Sequence, residues 1–161
     1  GNMLVSLRER QQRVDMVRRF ETTKPLRVLR EGQEMPRPFY LICRGAKIYA
    51  AYVFQDELLR RNNRDMSWIV LPGRGRSRCF PLPERGWSLA DAREQIRFLV
   101  PQLRRRPEYY VVALAFPDSF LEARQLMQLL DTADLAFSWR PYPAGEAVDF
   151  AIDGVTPPPP L

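Results

Sequence analysis

The chain has 161 residues, 45% hydrophobic and 27% charged, which suits one globular domain and excludes a disordered or fibrous polymer. Histidine is absent, which excludes Ser-His-Asp and Cys-His catalytic arrangements and ordinary zinc sites within the chain. The net charge of +6 is unevenly spread: residues 1–35 carry +3, residues 36–106 carry +9 and residues 107–161 carry −6. Such a polarised surface suits an anionic partner or self-association.

Gly1-Asn2 ahead of Met3 reads as a tag remnant, with Met3 either the native start or a point inside a longer protein. The Arg-rich start has no apolar core segment of the kind a signal peptide needs. Residues 4–20 are expected to be a helix, with Leu7, Val14 and Val17 at heptad spacing and Arg10 breaking the seam. Residues 21–37 read as a Pro-containing linker with one short extended stretch at Leu26 to Leu29. The globular domain is expected over residues 38–153 and a proline-rich tail over 154–161, with Pro157 to Pro160 in polyproline form.

Phe39 to Cys43, stopped by Arg44-Gly45, reads as a strand and a tight turn, and Lys47 to Val53 as its hairpin partner. Gln55 to Arg61 is expected to form one or two helical turns, and Ser67 to Leu71 a third strand ended by Pro72-Gly73. Gly73 to Arg78 (GRGRSR) reads as a flexible basic loop. Phe80-Pro81-Leu82-Pro83 is excluded from a central strand, because proline has no donor for a ladder.

Ser88 and Asp91 stand at capping-box spacing before a helix whose Leu89, Ala92, Ile96, Leu99 and Leu103 share one face. Pro101 is expected to bend or end it. Tyr109 to Phe116 is apolar on both alternating faces, the pattern of a central strand covered on two sides. Asp118 or Ser119 can cap the following helix, in which Phe120, Ala123, Met127 and Leu130 form the apolar face and Glu122 and Gln125 lie off it. Ala133 to Trp139 and Ala147 to Ile152 read as the last strands. The fold expected is α/β, with α+β as the alternative: a single mixed sheet with helices packed on it and an N-terminal helix attached by a linker.

Candidate chemistry is concentrated in arginine. Arg74, Arg76 and Arg78 on the Gly-Arg loop, with Arg60, Arg61, Arg64, Arg104, Arg105 and Arg106, make a possible polyanion-binding set. The loop has neither the spacing nor the Lys of a P-loop, and a solvated hairpin coloured by Arg-rich coding is the bland alternative. Cys43 sits in an apolar strand and reads as an inert thiol, whereas Cys79 follows two arginines that would favour a thiolate. Both are free buried thiols or together one disulfide. Asp56-Glu57 and Asp91-Glu94 read as charges on exposed helix faces. Trp68 and Tyr110 are expected in the core and Trp87 half exposed; a stacking platform beside the arginines is the alternative.

Three stretches resemble an uncharacterised bacterial soluble domain. They are Pro38-Phe39-Tyr40-Leu41-Ile42-Cys43-Arg44-Gly45, Pro107 to Phe120, and Ala136 to Phe150. That domain is found after coiled coils, near proton-channel proteins of the MotA/TolQ/ExbB type. Ile42 stands where the family has Glu, Phe116 where it has Arg and Ser119 where it has Gly, so no functional residue carries over. The resemblance implies an accessory domain of a multi-protein bacterial assembly, with residues 4–20 as the end of its coiled coil.

The function expected is therefore non-enzymatic protein–protein interaction, with other subunits or a second copy as partners. The alternative is nucleic-acid or polyanion binding through the Gly-Arg loop and its neighbours. Neither a cofactor nor a metal is expected, and no stretch approaches the ~20 apolar residues of a membrane helix. A cytoplasmic location is expected, with an extracytoplasmic soluble domain as the alternative if the chain belongs to a longer protein. If any role resides at the junction after Phe116, it works through the loop Phe116 to Ser119 and nearby arginines.

Overall fold

The computed structural model describes residues 36–151. Its strands are β1 (Arg37–Arg44), β2 (Lys47–Ala50), β3 (Tyr52–Gln55), β4 (Leu58–Arg61), β5 (Met66–Leu71) and β6 (Arg76–Pro81). Helix α1 (Leu89–Arg104), β7 (Tyr109–Ala115), helix α2 (Phe120–Thr132), β8 (Phe137–Pro141) and β9 (Val148–Ala151) complete it. The expected helix at 4–20, the linker up to residue 35 and the proline tail lie outside the described residues.

The class is α/β, and the strands divide over three sheets. A four-stranded mixed sheet has the order β2-β1-β7-β8, in which β7 lies parallel to both β1 and β8 and β2 antiparallel to β1. β7 is an inner strand, as its two apolar faces require. One face, with Phe39, Leu41, Val111 and Ala113, packs on Ile96, Leu99, Leu126 and Leu130 of the two helices. The other, with Tyr40, Ile42, Val112 and Leu114, meets Met66, Cys79, Val148 and Phe150 of a second, antiparallel sheet of order β5-β6-β9. Helix–sheet–sheet layering thus buries both sides of the central sheet, where helices alone had been expected to cover it.

The segment Gln55 to Arg61 is not helical. β3 and β4 form a hairpin whose two turn residues, Asp56 and Glu57, both have positive φ, 50° and 68°. That geometry matches a type I′ turn, which normally calls for Asn-Gly. Tertiary contacts compensate: Arg106 at the end of α1 donates to Glu57 Oε2 at 2.7 Å and lies 4.3 Å over the Phe54 ring. The loop expected at 73–78 is also shorter than the sequence suggests. Arg76 to Arg78 belong to β6, paired with both β5 and β9, and the turn is confined to Pro72 to Gly75.

Pro81, by contrast, does sit in β6, the middle strand of its sheet. The Leu82 N–H donates to the Asp65 carbonyl at 2.9 Å, so the alternation of the ladder turns the nitrogen of residue 81 away from β5. On that side β9 pairing stops at Cys79–Val148, and no ladder bond is lost.

α1 begins with the expected cap, the Asp91 N–H donating to Ser88 Oγ, and runs through Pro101 to Arg104. Pro101 is exposed and near the end, while Leu99 and Leu103 stay buried and hold the last turn. α2 ends in a Schellman arrangement: Asp134 takes φ 58°, Asp134 N–H donates to Asp131 and Leu135 N–H to Leu130. This closure occupies Ala133 to Leu135, so β8 starts at Phe137, later than the alternation implied.

Candidate functional site

The nine candidate arginines fall in three separate places. At the end of α1, Arg104 donates to the Ala133 carbonyl at 2.8 Å, and Arg106 donates to Gln102 and Glu57. These bonds staple α1 to the end of α2 and to the β3–β4 hairpin. Arg105 is the exposed C-cap of α1.

On the second sheet, Arg78 forms a two-pronged pair with Asp149 of β9, at 2.7 and 3.1 Å. Its charge is matched by its own sheet. Arg74 in the turn and Arg76 at the start of β6 are exposed, and no acidic residue lies between Met66 and Cys79.

The third group is Arg60 and Arg61 on β4 with Arg64 in the turn leading to β5. These three line one cleft of about 550 Å³, together with Gln55 and Asn63. The turn beneath them is held by buried Asn62. Its amide donates to the Ala50 carbonyl at 2.9 Å and to Asp65 at 3.1 Å, and its Oδ1 accepts from the Arg64 and Asp65 N–H groups. The Trp68 indole N–H donates to the Asn62 carbonyl, and Arg61 sits 5.7 Å over the same ring. Trp68 packs against the core beside Tyr52 and Phe150, so it is not an open stacking platform.

The loop Phe116 to Ser119 is tied to the β1–β2 turn. Gly45 N–H donates to both Asp118 carboxylate oxygens at 3.1 Å, and Ala46 N–H donates to Ser119 Oγ at 2.9 Å. These bonds tie the β1–β2 turn to the start of α2. Neither side chain is therefore left to cap that helix, as the sequence suggested. Arg44 lies 4.7 Å over the Phe116 ring. Glu122 was expected off the apolar face, yet it is 8% exposed, and its Oε2 has no hydrogen-bond partner.

The acidic pairs also separate. Asp56-Glu57 forms the hairpin turn, while Asp91 and Glu94 are exposed on α1. Among the described residues no three Cys, Asp or Glu side chains gather where they would hold a metal ion. No described helix is long and apolar enough to cross a membrane.

Both cysteines are free and buried. Burial raises Cys43 far above the ordinary thiol range and pushes Cys79 up to about 12. The expected help from Arg76 and Arg78 fails because strand residues alternate: those two project from one face of β6 and Cys79 from the other. Neither thiol should react with a maleimide at pH 8 in the native state, and both should react once urea unfolds the chain, as mass spectrometry would show. Native labelling of Cys79 would mean that the two sheets part. Because the folded state keeps Cys79 protonated, that stabilisation is complete below the ordinary value of 9.0 and is lost as the pH rises toward 12.

What the sequence reading missed is the outer edge of β5. This strand pairs on one side with β6 and on the other with no described strand. Ile69 and Val70 are 53% and 51% exposed, and Met66 to Leu71 contains no charge. An uncharged run without proline was the signal available for it. Comparisons with protein-family models, curated proteins and solved structures find no match to this chain.

Proposed function

We propose that the domain is a non-enzymatic protein-interaction module, in which an extended, acidic segment of a partner adds as a strand to the open edge of β5. The observation that carries this reading is the unprotected edge itself. Proteins normally blunt such edges with charge, proline or a covering segment. β2 is covered by Trp87, whose N–H and carbonyl bond Ile48; β8 carries Arg140 and ends in Pro141; β4 carries Arg60 and Arg61. Among the described residues β5, like the shorter β3, carries neither charge nor proline, and no described strand covers its outer edge.

Strand addition supplies main-chain hydrogen bonds for affinity and side-chain pockets for specificity. The Asp65–Leu82 bond sets the alternation, so residues 67, 69 and 71 bond to β6 and the backbone groups of Trp68 and Val70 face outward, while Met66 at the start of the strand is buried. Arg61 and Arg64 precede the strand and Arg74 and Arg76 follow it, which supports an acidic partner. A second copy adding along the same edge would bring like charges together, and that disfavours self-pairing. The reading is compatible with an accessory role in a larger assembly, as the family resemblance implied.

The test uses a capped peptide of alternating Val and Thr with two Glu at each end, followed by fluorescence anisotropy. Val70→Pro removes an outward donor without touching the β5–β6 ladder, and should weaken binding at least tenfold while the melting temperature holds. A peptide with Lys in place of Glu should bind markedly less well. No binding of the acidic peptide at millimolar concentration, or equal binding by the proline variant, would overturn the proposal.

A further inference from the structure

We infer that the cleft on β4 has a role of its own, as a binding site for a phosphate monoester, although its Arg61 and Arg64 also flank the β5 edge. The reasoning starts from charge. Arg60, Arg61 and Arg64 line the cleft, and among the described residues no carboxylate does. The acid nearest in sequence, Asp65, is engaged by the Asn62 amide. Among the described residues the side chains of Arg60 and Arg64 make no hydrogen bond or ion pair, in contrast to Arg78, Arg104 and Arg106, which bind protein groups. Three arginines line the cleft and no carboxylate of the described residues does, so an anion there meets unopposed positive charge.

The frame is rigid enough to act as a site. Asn62 is 4% exposed and bonds four groups, so the turn that bears Arg64 has its position set before any ligand arrives. Arg61 is held over Trp68. Guanidinium forks match phosphate oxygens two at a time, and three of them suit the nearly doubly charged monoester better than a carboxylate. Gln55 and Asn63 add neutral hydrogen-bonding groups to the lining, and Val53 and Leu59 add an apolar wall for the group that bears the phosphate. The phosphoryl group can belong to a free small molecule or to a phosphorylated side chain.

The experiment titrates the protein with inorganic phosphate, O-phosphoserine and a short phosphoserine peptide, followed by 31P and 15N NMR at fixed ionic strength. Resonances of residues 60–64 should move. Affinity should rise severalfold as the pH passes about 6, where the second proton leaves. Arg60→Gln with Arg64→Gln should reduce binding at least tenfold, whereas Arg74→Gln with Arg76→Gln should leave it within twofold. Tighter binding of the peptide than of O-phosphoserine would identify a protein source, and equal binding a small molecule. Val70→Pro should leave all of these unchanged, so failure here and failure of the β5 reading are separable. No shift at 60–64, equal losses in both double variants, or preferential binding of oligothymidylate that needs every arginine would overturn the inference.

Discussion

Replacing Phe150 with alanine is expected to lower the unfolding free energy by about 3–5 kcal/mol, through the loss of one buried ring. Phe150 is fully buried in β9 and faces the central sheet. Its ring lies 5.1 Å from Tyr40, 5.6 Å from Tyr52 and 5.9 Å from Trp68, so it bolts three strands from three different sheets. Removing it leaves a space that these neighbours cannot fill, because each is anchored in its own ladder. Against a total stability of about 5–15 kcal/mol, that is a large share of the folding free energy. Urea unfolding followed by the fluorescence of Trp68 and its companions measures the change. Phe98→Ala is the control: that ring is 65% exposed on α1, and its loss should stay within about 0.5 kcal/mol. A Phe150→Ala cost below about 1 kcal/mol would show that the second sheet is not fastened through this residue.

The second large effect is expected at Gly86. Its φ of +84° disfavours any side chain, and a Cβ there would stand 2.7 Å from Tyr49 Cε1 and 2.9 Å from Cζ. The ring has nowhere to go. Tyr49 is buried and its hydroxyl donates to the Leu82 carbonyl at 2.9 Å, while the neighbouring Trp87 is pinned to Ile48 by two backbone bonds. Backbone strain of about 1–3 kcal/mol and overpacking of about 1–3 kcal/mol add to roughly 2–6 kcal/mol for Gly86→Ala. A double-mutant cycle with Tyr49→Ala separates the two parts, since removing the ring relieves the clash and leaves the strain. If Gly86→Ala unfolds at the same urea concentration as the parent chain, the close approach of Trp87 to β2 is wrong.

Gly86 also shows where reading the chain residue by residue stops. The dipeptide Gly-Trp before a helix looks like an ordinary loop. In the structure it is the cover of a sheet edge, which depends on Tyr49 and Ile48 lying almost forty residues upstream. The β3–β4 hairpin is a parallel case. Gln-Asp-Glu-Leu-Leu-Arg-Arg has good helical composition and no glycine to mark a turn, yet Phe54 and Leu59 find core contacts only as a hairpin. Packing and the Arg106–Glu57 bond override local preference there.

The arginines carry the same lesson toward function. Their number is plain in the sequence, but their partners are not. Asp149 reaches Arg78 from 71 positions away, and Glu57 reaches Arg106 from 49. What looked like one basic set is, in three dimensions, several structural ties and two exposed groups. Glu122 moves the other way, from an expected exposed charge to a buried carboxylate at the start of α2.

By itself the sequence determined the elements whose signal is local and periodic: the doubly apolar β7, the apolar faces of α1 and α2, the Ser88 cap and the mixed α/β class. Those follow from side-chain spacing, which is a property of consecutive residues. Only the tertiary structure decided how the strands share out among sheets and, among the described residues, which arginines keep an unmatched charge and which edge stays open. Each of those depends on residues brought together by folding, and spacing along the chain does not encode that proximity.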